Sequence, residues 1–158
     1  MGKKRRYITE LDGIRAIAVI MVLVYHLKLA LFKSGFLGVT VFFVLSGYLI
    51  TGILISEVEE EGTIDLKNSW LRRIRRLVPA VMSMAVVIIF VSAVVNRIIF
   101  TKGCKDFLAS VLGFNNWWQI FNKISYFEAA GVPSPFTHCW SLAIETQFYL
   151  IYPLILLG

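Results

Sequence analysis

Apolar positions in this chain fall in blocks rather than singly. Residues 11–32 (LDGIRAIAVIMVLVYHLKLALF), 36–56 (FLGVTVFFVLSGYLITGILIS), 77–95 and 138–157 are dominated by aliphatic and aromatic side chains. Each block is about 20 residues long, the length of helix that crosses a hydrocarbon core of roughly 30 Å. The pattern therefore predicts four spanning α-helices. Lys33-Ser34-Gly35 reads as a tight connection between the first two. Residues 57–76, with Glu57, Glu59, Glu60, Glu61 and Asp65, read as a polar cytoplasmic loop whose acidic cluster is a solvated face. Pro79 is placed in the first turn of the third helix, where its missing N–H costs nothing. Residues 96–137 read as an outer segment broken by Pro133 and Pro135. Inside it, 107–121 (FLASVLGFNNWWQIF) is apolar, but as a helix it reaches only ~22 Å. Asn115-Asn116 interrupts it, and Trp117-Trp118 suits a membrane interface, so a helix lying at or dipping into the outer surface is expected. The fold class is all-α: a polytopic transmembrane bundle of about four spanning helices plus an interfacial helix. Because the sequence stops at Gly158 within an apolar run, the bundle is expected to be incomplete. A longer chain or another subunit would supply the missing helices.

Composition sharpens the class. Of 158 residues 58% are hydrophobic and 16% charged, with mean hydropathy +0.74, which excludes an ordinary soluble domain. The formal charge of +6 has two readings, a nucleic-acid partner or membrane topology. Lys3-Lys4-Arg5-Arg6 and Arg72-Arg73-Ile74-Arg75-Arg76 each lie just before an apolar run, which favours topology, a cytoplasmic N-terminus and no nucleic acid. The first run carries Asp12, Arg15 and His26 and no small-x-small site follows, so it is expected to remain rather than be cleaved as a signal peptide. Cys104 and Cys139 are too few for a disulfide scaffold. They are expected as unpaired thiols, a bridge outside the cell being the alternative. Two histidines and two cysteines show no ligand spacing, so no metal site is expected.

Ionisable groups inside spans are costly, about 2.5–3.5 kcal/mol on insertion scales, and usually mark a site. Arg15, His26 and Glu145 are the three here. Eleven helical steps bring His26 to within ~20° of Arg15's direction and ~16 Å along the axis. Asp12, one turn before Arg15, shares nearly the same face. An interfacial Asp12–Arg15 pair beside one satisfied histidine is the plainer account. In the last run His138, Ser141, Glu145, Tyr149 and Tyr152 form a polar stripe, which is either a site or hydrogen-bonding glue between helices. Small residues in the second run, including Gly38, Ser46 and Gly47, read as close packing. Arg72, Arg73, Arg75 and Arg76 suit either a phosphate-rich donor such as coenzyme A or a positive-inside anchor.

At these residues the chain resembles the acyltransferase 3 family. The matching pieces are Asp12-Gly13-Ile14-Arg15-Ala16 with His26 beyond it; Gly35-Phe36-Leu37-Gly38-Val39 followed by Phe42-Phe43-Val44-Leu45-Ser46-Gly47-Tyr48; Arg72-Arg73 with Arg76-Leu77-Val78-Pro79; and His138-Cys139-Trp140-Ser141-Leu142-Ala143-Ile144-Glu145. They extend over nearly the whole chain, in the family's order. The resemblance implies the N-terminal part of a multi-pass enzyme of the bacterial plasma (inner) membrane. Such an enzyme moves an acyl group, often acetyl, from cytoplasmic acyl-CoA to a hydroxyl of an extracytoplasmic carbohydrate, in cell-wall peptidoglycan or lipopolysaccharide. No cofactor is held permanently; acetyl-CoA or another acyl-CoA is the donor substrate. By position, His26, Arg15 and Glu145 match catalytic residues and Arg73 and Arg76 match cytoplasmic arginines, with Arg72 and Arg75 joining them for the donor. Asp12, His138 and Ser141 are supporting residues. His26 is expected as general base or transient acyl carrier, with Glu145 orienting it or holding the acceptor. Family domains have more spanning helices than the four expected here. Two other readings stay open: an inactive truncated fragment, and a small transport or proton-relay membrane protein.

Overall fold

In a computed structural model, residues 8–27, 34–124 and 133–157 are described. Among them every regular element is an α-helix: α1 (Thr9–His26), α2 (Leu37–Glu61), α3 (Leu66–Val95), α4 (Arg97–Val111), α5 (Asn115–Phe121) and α6 (Cys139–Leu157). They divide into two compact units, split between Ile64 and Asp65.

The first unit is an antiparallel hairpin of α1 and α2. Glycine makes its close approach possible. A Cβ on Gly38 would stand 2.5 Å from the Ala18 carbonyl oxygen and 2.9 Å from Val22 Cγ2, and one on Gly35 would strike the Met21 carbonyl. Small-residue contact of this kind drives association where lipid removes the hydrophobic gain. The polar loop expected at 57–76 is mostly helix. α2 continues through the four glutamates to Gly62, whose φ of +74° ends it, with the Gly62 N–H bonded to the Val58 carbonyl. Acidic side chains are adequate helix formers, so polarity there marks emergence from the apolar run and not loss of helix.

The second unit begins at Asp65, whose carboxylate caps α3 by accepting from the Asn68 N–H at 3.0 Å. The cap starts the helix well before Pro79, which therefore sits mid-helix and not in a first turn. Proline there removes one backbone bond, to the Arg75 carbonyl. α3 and α4 meet at Asn96, whose Oδ1 accepts from the Ile98 N–H at 2.8 Å. α4 folds back along the C-terminal half of α3, Gly103 facing Ile89 and Phe136. α6 runs antiparallel to α3 along its N-terminal half, Cys139 clustering with Ala85 and Tyr149 reaching Arg73. The core of this unit is Ala85, Phe136 and Cys139 with Ile88, Ile89, Phe107 and Val111 against them. Cys104 is exposed and Cys139 buried, both as free thiols.

The single helix expected at 107–121 is two. α4 ends in a Schellman motif, the Gly113 N–H on the Ser110 carbonyl and the Phe114 N–H on the Ala109 carbonyl. Gly113 takes φ +73°, and a Cβ there would press Thr146 of α6 at 3.2 Å, so glycine both turns the chain and clears the neighbour.

Among the described residues three helices, α2, α3 and α6, are long and apolar enough to cross a membrane. α1 has 18 residues and holds Glu10, Asp12 and Arg15 in its first two turns. The first span, expected over 11–32, is thus shorter and more charged in its described part, and residues 28–32 lie outside the described ones. α3 leaves Phe90, Val94 and Val95 at least 70% exposed, a surface that suits lipid and not water. This is a membrane protein.

Candidate active site

α1 is unbroken from Asp12 through His26, so the helical geometry linking Asp12, Arg15 and His26 holds along its whole length. Arg15 is half-buried and its Nη1 reaches Asp12 Oδ1 at 3.5 Å, a long charge-assisted contact. His26 is the last residue of the helix, exposed, with Nδ1 2.7 Å from the Val22 carbonyl one turn earlier. A carbonyl only accepts, so Nδ1 carries the hydrogen and, in the neutral ring, Nε2 is the basic nitrogen. Tyr25 meets the ring edge-on at 5.3 Å between centroids.

The second unit gathers a different set. The Tyr149 hydroxyl donates to Glu145 Oε1 at 2.5 Å, one turn away on α6. The Arg73 guanidinium carbon lies 4.5 Å above the centre of the Tyr149 ring. A cleft between α3 and α6, lined by Trp70, Arg73, Leu77, Thr146, Tyr149 and Leu150, surrounds this contact. Arg73 Nε and Trp70 Nε1 are buried there without a hydrogen-bond partner. Arg72, Arg75 and Arg76 are exposed, whereas Arg73 is half-buried, so the four arginines expected as one group separate into three and one. His138 lies in the turn before α6, exposed, and its carbonyl accepts from the Ser141 hydroxyl at 3.3 Å. On α6, Glu145 and Tyr149 are bonded to each other and Tyr152 is stacked on Phe148 at 4.7 Å.

Sequence reasoning missed the polar network that joins α4, α5 and α6. Asn115 is fully buried; its Nδ2 donates to Ser110 Oγ at 2.7 Å, and its Oδ1 accepts from Gln119 Nε2. Gln119 Nε2 also donates to the Thr137 carbonyl at 2.8 Å. Trp118 Nε1 donates to Asp106 Oδ1 at 2.7 Å. On α6, Gln147 Nε2 donates to the Gly113 carbonyl at 2.9 Å and to Asn116 Oδ1 at 2.8 Å. Trp117 Nε1 donates to Gln147 Oε1 at 3.2 Å, so the tryptophan expected only as an interface anchor also ties α5 to α6. The asparagines read as an interruption are the centre of this packing. The i, i+4 spacing of Asn115 and Gln119 was the available signal.

Comparison with known proteins adds an independent line. The chain matches the family described as "Acyltransferase domain" over residues 8–158. It is 50% identical over 153 residues to the peptidoglycan O-acetyltransferase OatA of Listeria monocytogenes, covering 97% of this chain and 25% of that protein. It is 47% identical to YrhL of Bacillus subtilis, over 96% of this chain and 24% of that one. A Staphylococcus aureus relative is 44% identical over 98% of this chain and 25% of its own length, and both of these carry O-acetyltransferase in their names. The chain thus spans about a quarter of the length of the curated relatives it matches. No solved structure matches it.

Proposed function

The chain belongs to the acyltransferase 3 family, and from that premise we propose that it is the N-terminal part of a multi-pass O-acyltransferase of the bacterial plasma membrane, its N-terminus cytoplasmic. The reaction is transfer of an acetyl group from cytoplasmic acetyl-CoA to a hydroxyl of an extracytoplasmic carbohydrate, peptidoglycan being the acceptor that the name of the Listeria relative points to. The observation that carries this reading is 50% identity sustained over 97% of the chain.

In this mechanism His26 Nε2 removes the proton as the acceptor oxygen attacks the thioester carbonyl. The new C–O bond forms, the C–S bond breaks, and the proton passes to the departing thiolate. The Nδ1–H···O bond to Val22 supports this role, because it directs the basic nitrogen away from the helix's own backbone. Arg15, three turns from His26, holds Asp12 in place. Exposed Arg72, Arg75 and Arg76 grip the donor's phosphates, a geometry to which guanidinium groups are suited. Within the second unit Glu145, bonded to Tyr149, contributes to carbohydrate binding. His138 and Ser141 support the start of α6 through their hydrogen bond.

The test is transfer of labelled acetyl from acetyl-CoA in membranes that contain the protein, beside a His26→Ala variant of equal abundance. Label should reach carbohydrate in the wild type and fall by about 10²–10⁴-fold in the variant, the range for loss of a general base. Undiminished transfer in the variant removes His26 from the mechanism. No transfer by an inserted wild type removes the acyltransferase reading for this length of chain.

A further inference from the structure

Arg73 sits apart from the other three arginines, and its surroundings say what it serves. Its guanidinium is stacked on the Tyr149 ring, with Nε buried and unbonded, so the ring face stands against the cation. The hydroxyl of that same ring donates to Glu145 at 2.5 Å. One side chain therefore touches both, its face on Arg73 and its hydroxyl on Glu145, which the proposed reaction uses.

We infer that Tyr149 is a positioning residue, which fixes the Glu145 carboxyl on α6 and holds Arg73 beside it, so that Arg73 supports Glu145 rather than the donor's phosphates. The inference rests on the acyltransferase reading of the chain and adds a division of labour to it. Cation–π attraction strengthens as water is excluded, and the cleft between α3 and α6 is walled by Trp70, Leu77 and Leu150. A tyrosine bonded at its hydroxyl and covered on its ring has little freedom left. That rigidity passes to Glu145, which sits one turn away on the same helix. Misplacing a reacting or binding group by a fraction of an ångström to one ångström is enough to cost rate, and the loss appears in turnover and not in donor affinity.

The experiment measures acetyl transfer against acetyl-CoA concentration in membranes, at equal protein abundance. Tyr149→Phe keeps the ring beneath Arg73 and deletes only the hydroxyl. It should lower kcat about tenfold to a hundredfold, the worth of a hydrogen bond to a charged or strongly polar partner, with KM for acetyl-CoA changed by less than about twofold. Arg73→Lys, which loses the planar stack, should follow the same pattern. Arg72→Ala, Arg75→Ala and Arg76→Ala should instead raise KM. In a Glu145→Gln background Tyr149→Phe should have no further effect, since its action passes through that carboxyl. A merely structural role would lower abundance or shift both parameters, and would remain additive with Glu145→Gln. Unchanged kcat in Tyr149→Phe, a pure KM effect for Arg73→Lys, or additivity overturns the inference while the acyltransferase reading stands. Absence of transfer by the wild type overturns that reading, and the inference falls with it.

Discussion

The two units are both helical and both apolar outside, yet they are held together differently. In the α1–α2 hairpin two polar side chains bond within their own helix. Arg15 reaches Asp12 on its own helix, and His26 bonds the backbone of its own helix at Val22. The two helices approach closely where side chains are absent, at Gly35 and Gly38. In the second unit polar side chains do the joining. Gln147 of α6 bonds the Gly113 carbonyl and Asn116, and Gln119 of α5 bonds the carbonyl of Thr137 just before α6. Arg73 of α3 stacks on Tyr149 of α6. Tight backbone contact suits a hairpin whose helices are long and regular. Short helices such as α5, at 7 residues, present too little surface for that and require directional bonds.

The comparison breaks most readily at Gly38. Gly38→Leu places a side chain where even a Cβ would meet the Ala18 carbonyl at 2.5 Å, and a backbone atom cannot move aside as a flexible side chain can. The cost is expected at or above the upper end of the ~1–3 kcal/mol typical of overpacking. Thermal melting of the purified protein in detergent should show a large fall in midpoint, with Gly38→Ala intermediate. A Gly38→Leu protein that melts like wild type would mean that α1 and α2 are not held by backbone proximity.

The matching change in the second unit is Asn115→Leu, which preserves approximate volume and removes the bonds to Ser110 and Gln119. Ser110 Oγ and the Gln119 amide would lose a buried partner, for which ~1–3 kcal/mol is the usual penalty. The loss should be smaller than that of Gly38→Leu, because Gln119 retains the Thr137 carbonyl. A fall in melting midpoint equal to or greater than that of Gly38→Leu would reverse the ranking of the two devices.

The apolar blocks gave away the long helices, because length and hydropathy are properties that one stretch of sequence carries by itself. α2, α3 and α6 all overlay expected runs. Helix ends were legible but misread. Gly62 and Asp65, a left-handed C-cap followed three residues later by an N-cap, mark the true break inside the segment expected to be loop. The charge of Glu57 through Glu61 concealed it. The site divided in the same way. Asp12 with Arg15, and Glu145 with Tyr149, are one helical turn apart and so were readable from spacing. Arg73 on Tyr149 and Gln147 on Gly113 join residues far apart in sequence, and no periodicity announces such pairs.

The smallest effect belongs at the start of α3, where the second unit begins. Asp65 accepts from the backbone N–H of Asn68 at 3.0 Å and from its side-chain amide at 2.6 Å. The backbone N–H bond is the largest influence on the carboxyl and, with the side-chain bond and the charge of Arg72, holds its pKa below the ordinary 3.8. A carboxyl depressed on folding adds stability above its unfolded pKa, and that addition disappears as pH falls through the folded value. Asp65→Asn keeps a capping oxygen and deletes only the charge, so it isolates this electrostatic part from the cap itself. The wild type should therefore melt slightly above Asp65→Asn at pH 7 and at pH 5, and the gap should close below about pH 3.8. Asp65→Ala should melt lower than both at neutral pH. An Asp65→Ala protein that melts like the wild type at neutral pH would show that α3 is started by packing of its neighbours and not by its cap. The second unit would then depend on directional bonds between helices but not at the helix's own beginning.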